Sequence, residues 1–221
     1  MATVQFRSYR HYRQRPSGLE LVADSVGTVR RPAIAPGGTG SVGAWSSTHR
    51  NFARRAILPL AADQLWRIEQ GVVRTLAHTP DEEGVMALGF WGEGSIVGLP
   101  LAGDVALQVE CLTRVRAALV TAEVLEDPQI LLAHLRQQNR LMTILRRGRI
   151  GDRLQDFLEW FAQEFGYSTP EGWVVPPLLT HQEIAETLHC SRVTVTRLLN
   201  AAVKRGTIRR SHGELVLLSR D

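Results

Sequence analysis

Leu179-Thr180-His181-Gln182-Glu183-Ile184-Ala185-Glu186-Thr187-Leu188-His189-Cys190-Ser191-Arg192-Val193-Thr194-Val195-Thr196-Arg197-Leu198-Leu199 decides how this 221-residue chain is read. The stretch predicts two short helices joined by a tight turn. Thr180, followed three residues later by Glu183, is a capping box: each side chain satisfies a backbone N–H left without a partner at the helix start. Ile184, Ala185 and Leu188 form an inner face, and Ala185 is small enough for a second helix to cross closely. Ser191 is placed to cap that second helix. Val195, Leu198 and Leu199 bury one side of it, while Arg192, Thr194 and Arg197 project outward. This is a helix-turn-helix pattern. A helix fits the major groove of DNA, and residues near its N-terminus reach base edges. One arginine can donate two hydrogen bonds to guanine, worth roughly 1–3 kcal/mol of discrimination.

Downstream, Gly206 to Leu218 reads as a β-hairpin wing carrying Arg209 and Arg210. Upstream, Leu154, Phe157, Leu158, Phe161 and Phe165 recur with helical period from Gly151 to Phe165, and Gly166 is a stop signal. Before that, Pro128 opens a long helix to about Arg149. On it Leu131, Leu135, Gln138, Met142 and Leu145 fall on a seam of alternating four- and three-residue steps. That seam pairs with its copy in a second chain, or else lies buried on its own domain. Ile130, Leu141 and Ile144 lie off the seam and are placed to pack on what precedes.

From about 52 to 122 the pattern is short strands with turns. Ala56–Leu58, Leu65–Ile68, Val72–Leu76, Val85–Phe90, Leu107–Leu112 and Val115–Val120 are strand-like, at the spacing of a small β-barrel or sandwich. Trp66, Phe90 and Trp91 read as its core. Residues 1–48 include Pro36-Gly37-Gly38-Thr39-Gly40-Ser41-Val42-Gly43, which is linker chemistry. They form a basic, flexible N-terminal arm, either a loosely ordered tail or one that touches DNA phosphates. The domain division is therefore 1–48, 49–127, 128–150 and 151–221.

Charge is spread unevenly along the chain. Residues 1–55 carry nine arginines against Glu20 and Asp24, residues 56–140 are net −5, and residues 141–221 are net +2, for a total of +4. Basic ends around an acidic middle suit a polyanionic partner. A composition 44% hydrophobic and 22% charged excludes disorder throughout. No run approaches the length of a membrane span, and Met1 to Arg15 lacks the apolar core of a secretory signal, so a reduced cytoplasmic setting is expected. No GxSxG, P-loop or HExxH motif supports an enzyme or a metal site.

The helix-turn-helix stretch resembles the DNA-binding motif of the catabolite activator and fumarate–nitrate regulator (CRP/FNR) family. Arg192-Val193-Thr194-Val195-Thr196-Arg197-Leu198-Leu199 is most similar to the cyanobacterial global nitrogen regulators. The resemblance covers about residues 50–221. It implies an α+β fold: an N-terminal β-roll (a cyclic-nucleotide-binding-like jelly roll), a long dimerisation helix and a C-terminal winged helix-turn-helix. It implies that Arg192 and Arg197 read guanines. Val193 stands where the catabolite activator has a cytosine-contacting glutamate, and would instead meet a thymine methyl. The half-site should then be of the nitrogen regulators' GTA type. Thr180, His181, Gln182, Ser191, Thr194 and His212 match positions that touch or flank phosphates. His189 occupies the interhelix turn where the family often has glycine; histidine tolerates positive φ better than most residues.

The family's effector signatures are missing. Relatives that bind cyclic nucleotides carry Gly-Glu-Leu and then an arginine; here the segment is Val97-Gly98-Leu99-Pro100-Leu101, with no arginine through Thr113. The arginines that hold 2-oxoglutarate in the nitrogen regulators are absent, with His134 and Asn139 at the helix positions. An iron–sulfur sensor needs four cysteines and the chain has two, Cys111 and Cys190. His78, the one candidate haem ligand, sits at a hairpin tip. No cofactor is expected. The effector domain binds something else, binds nothing, or answers to a protein partner. The resulting expectation is a homodimeric, sequence-specific transcription regulator on a palindromic double-stranded DNA site, working with RNA polymerase and away from membranes. The competing reading is a sensor for a small molecule or protein partner in which the helix-turn-helix only packs.

Overall fold

A computed structural model describes residues 48–78, 85–103, 106–176, 178–211 and 214–218. Residues 1–47 of the expected N-terminal arm, and His212, lie outside the described residues. Seven strands build the first unit. β1 (His49–Phe52), β7 (Val115–Val120), β2 (Leu65–Gln70) and β5 (Ile96–Gly98) form one antiparallel sheet, in the order β1-β7-β2-β5. β4 (Val85–Trp91), β3 (Val73–His78) and β6 (Leu107–Cys111) form the other, in the order β4-β3-β6. Between them Trp66, Ile68, Val73, Trp91, Val97, Val109 and Val115 make a filled apolar interior. Gly89 is bare because a Cβ there would come within 2.8 Å of the Trp91 ring. Ala56–Leu58 makes only an isolated bridge, from Ile57 to Glu110, rather than a strand.

Helix α1 (Pro128–Leu145) starts at Asp127, whose carboxylate accepts from the Gln129 N–H, with proline in its first turn. It closes the roll along an open seam, because β4 and β5 are each the edge of a sheet. His134 Nε2 donates to the Ile96 carbonyl of β5 at 2.8 Å. Gln138 donates to the Leu88 carbonyl of β4 at 3.0 Å, and Gln137 to that of Phe90. Strand-edge carbonyls that would otherwise lack protein partners are thus covered.

The seam expected from spacing is only partly open in the single chain. Leu131, Leu135 and Met142 are exposed, and Leu132 joins them, but Gln138 turns to the roll and Leu145 is half-buried in the core. A strict 3.5-residue repeat drifts about 20° per heptad on a straight helix, which carries alternate members onto the flank. Leu141 and Ile144 are buried and Ile130 half-buried, on the side away from the stripe.

Helix α2 (Ile150–Phe165) buries Leu154, Phe157, Leu158, Trp160 and Phe161. Phe90 of the roll packs among Phe157, Trp160 and Phe161, with ring centroids 5.5–5.9 Å apart. Gly166 ends α2. A Cβ there would meet the Val174 carbonyl at 2.0 Å, so only glycine lets the following hairpin, β8 (Tyr167–Thr169) and β9 (Gly172–Val175), fold back this closely. Helices α3 (His181–Leu188) and α4 (Arg192–Lys204) and strands β10 (Ile208–Ser211) and β11 (Glu214–Leu218) complete the chain. The last sheet runs β10-β11-β9-β8, a four-stranded wing. The molecule is a β-roll, a long helix and a winged helix-turn-helix, as expected. Among the described residues no helix is long and apolar enough to cross a membrane.

Candidate nucleic-acid interface

Both capping devices form. Thr180 accepts from the Glu183 N–H at 3.3 Å, and Glu183 accepts from the Thr180 N–H at 2.6 Å. Ser191 accepts from the Thr194 N–H at 3.1 Å at the start of α4. Between the helices His189 holds φ 53° and ψ 57°, the left-handed turn that glycine would take without strain, and its N–H donates to the Ala185 carbonyl. Ile184, Ala185 and Leu188 face Val195 and Leu199 in one buried cluster.

The opposite face of α4 is open. Arg192, Val193, Thr196, Arg197, Asn200, Ala201 and Lys204 line a shallow groove. The pattern is two rows at four-residue steps, 192-196-200-204 and 193-197-201, as a straight helix requires for one face. Val193 is 76% exposed on this face. Arg192 and Arg197 are exposed beside it. A capped helix start, two guanidinium forks and an apolar knob suit the edges of base pairs in a major groove.

The remaining expected residues divide. Thr180, Ser191 and Thr194 cluster at the two helix starts, where backbone N–H groups and the helix dipole attract phosphate. His181 joins the two helices: its Nδ1 is 2.8 Å from the Thr196 hydroxyl, which itself donates to the Arg192 carbonyl. With that hydroxyl proton used, Nδ1–H is the donor to Thr196. Burial, then Arg210 and Arg192, hold the His181 imidazole below its ordinary range. Gln182 is exposed and donates to Glu186 at 3.2 Å.

Three residues escaped the sequence reading. Thr196 ties the helices, and Asn200 and Lys204 extend the groove. Asn200 also accepts from Arg210 of β10 at 3.0 Å, which links the wing to α4. The four-residue steps from Arg192 carry the signal for all three. Arg209 instead pairs with Glu171 in the β8–β9 turn. In the roll, His78 is exposed and contacts Gln108. Both cysteines are free, and burial with Glu110 pushes the Cys111 thiol up to about 11.

A family model for the Crp-like helix-turn-helix domain matches residues 152–221. Regulatory protein CysR of Synechococcus elongatus is 38% identical over 170 residues, 75% of this chain and 82% of that protein. The global nitrogen regulator of the same organism is 38% identical over 71 residues, 32% of either chain. TTHB099, a transcriptional regulator of the CRP family from Thermus thermophilus, shares the fold with a TM-score of 0.65 at 22% identity, over 77% of this chain and 92% of that one. With its helix-turn-helix built as described, the chain belongs to the CRP/FNR family of DNA-binding transcription regulators, and is not an enzyme.

Proposed function

We propose that this regulator acts as a homodimer on a palindromic DNA site. The observation that carries the reading is the open face of α4, with Arg192, Val193 and Arg197 at a capped helix start. The exposed stripe of Leu131, Leu135 and Met142 on α1 supports pairing with a second copy. Two-fold symmetry then sets two α4 helices in successive major grooves, about 34 Å apart. Arg192 and Arg197 read guanines, Val193 meets a thymine methyl, and the half-site is of the GTA type. Thr180, His181, Gln182, Ser191, Thr194 and His212 hold or flank phosphates and fix register. Bound there in the cytoplasm, the dimer adjusts the access or activity of RNA polymerase.

The roll is read as an effector domain without the residues for a cyclic nucleotide. Nothing from Leu99 to Thr113 supplies a cation, and Glu110 is taken up by Arg55 and Arg74. Trp66 and Trp91 occupy its interior. Selection from a random DNA pool tests the main reading. Inverted repeats with GTA-type half-sites should be enriched, and binding should fall steeply with salt as phosphate contacts release counterions. Failure to enrich any inverted repeat overturns it.

A further inference from the structure

The helix-turn-helix is tied to the roll by five charged side chains. Arg74, on β3, is 6% exposed in its side chain and sits at the centre. It donates to Glu110 of β6 at 2.7 Å and to Glu186 of α3 at 2.9 Å, and its guanidinium lies 3.5 Å from Glu183 of α3. Arg55, held at φ 73° in the turn before Ile57, donates to Glu110 at 3.1 Å and also to Glu183. Glu183 is 3% exposed in its side chain and also caps α3 through the Thr180 N–H. Among the described residues no buried side-chain polar atom lacks a partner.

Besides a hydrogen bond from Arg54 to the Leu178 carbonyl, two larger contacts join the domains. The aromatic cluster around Phe90 packs on α2, and the burial of apolar surface has no preferred direction. The ion network grips α3, and charged hydrogen bonds demand a fixed direction. Helix α4 is bound rigidly to α3 through their shared core and the His181–Thr196 contact. Whatever orients α3 on the roll thus orients the base-reading helix relative to α1.

We infer that Arg74, with Arg55, is a positioning residue for DNA reading: it fixes α3 on the roll through Glu183 and Glu186, and so sets the separation of the two recognition helices in the dimer. This rests on the homodimer-and-palindrome reading. It concerns the spacing between half-sites, not the bases within them, because neither Arg192 nor Arg197 belongs to the network.

The test measures affinity of the full-length protein for palindromes with fixed half-sites and spacers changed by one or two base pairs. The variants are Arg74→Gln, Glu183→Gln and Glu186→Gln. Glutamine at 183 keeps the capping acceptor and removes the charge. The wild type should prefer one spacer, and each variant should reduce that preference, by about tenfold for Arg74→Gln and Glu183→Gln and less for Glu186→Gln, with half-site base preference unchanged. Should Arg74→Gln fail to fold, the two glutamate variants decide. Spacer preference equal to wild type overturns the positioning role and leaves the dimer reading intact. Spacer and base preference lost together mark general damage and also overturn it. A wild type with no spacer preference removes the palindrome reading and this inference together.

Discussion

His189 adopts the left-handed conformation, where a Cβ crowds the following carbonyl at a cost of roughly 1–2 kcal/mol. It is exposed, so a change there loses little packing. His189→Gly should leave thermal stability unchanged or raise it by up to about 1 kcal/mol, while His189→Val should lower it by about 1–2 kcal/mol. Thermal denaturation of the two variants separates these outcomes. Arg192 makes a prediction of another kind. Arg192→Ala should abolish preference at one guanine of each half-site, at about 1–3 kcal/mol, without equal weakening on unrelated sequences. Competition binding with single-base variants measures it. A third case is His134, stacked on Trp91 at 4.0 Å with its imidazole pushed below the ordinary range by burial, against the opposing pull of the Ile96 carbonyl. The fold favours the neutral ring. Its stabilisation is therefore complete above the unfolded value of about 6.5 and is lost as pH falls below it. Thermal scans from about pH 7.5 to about 5.5 should show falling stability, less steeply in His134→Gln; His181, shifted the same way, remains in both proteins.

At the scale of elements, α1 carries two faces with different work. One flank covers strand edges with amide and imidazole donors; the other exposes Leu131, Leu135 and Met142. Leu135 is 58% exposed in the single chain, so Leu135→Glu should change the protomer's own stability by no more than about 0.5 kcal/mol. Sedimentation should nevertheless show monomers, and affinity for the full palindrome should fall towards that for one half-site. Helices α2, α3 and α4 were legible because period, capping residues and Gly166 all agree. The long strands of the roll were legible from alternation and turns. β1, β5, β8 and β9 were not, being three or four residues each and ordered by their neighbours: β1 by β7, β5 by β2, β8 and β9 by the wing. The faces of α1 were only half legible, since sequence does not reveal which strand edges will need donors. The open face of α4 was legible from the spacing of Arg192 and Arg197. The ion network was not, because Arg74 and Glu186 are 112 residues apart.

In the whole molecule the roll keeps an apolar interior of its own, and a second core is shared between the domains. One buried cluster runs from Leu76, Ala87 and Phe90 of the roll through Ile144 and the aromatic face of α2 to Ile184, Leu188, Leu199 and Ile208 at the wing end. Unfolding should accordingly be one cooperative transition, followed identically by fluorescence and by far-ultraviolet dichroism, rather than two. Phe90→Ala removes the ring that joins the roll to α2 and should cost about 3–5 kcal/mol. It should also split the transition in two, as each part keeps its own remaining contacts. Calorimetry of the variant reads both effects.

The stacked pair of Trp91 and His134 has an optical consequence. A protonated imidazole quenches indole emission, and these two rings lie 4.0 Å apart at the joint between roll and long helix. The protein thus carries its own lamp at the place where the roll meets α1. The part of the emission that titrates in the wild type and not in His134→Gln reports whether that joint is closed, in solution and on DNA, with no label attached.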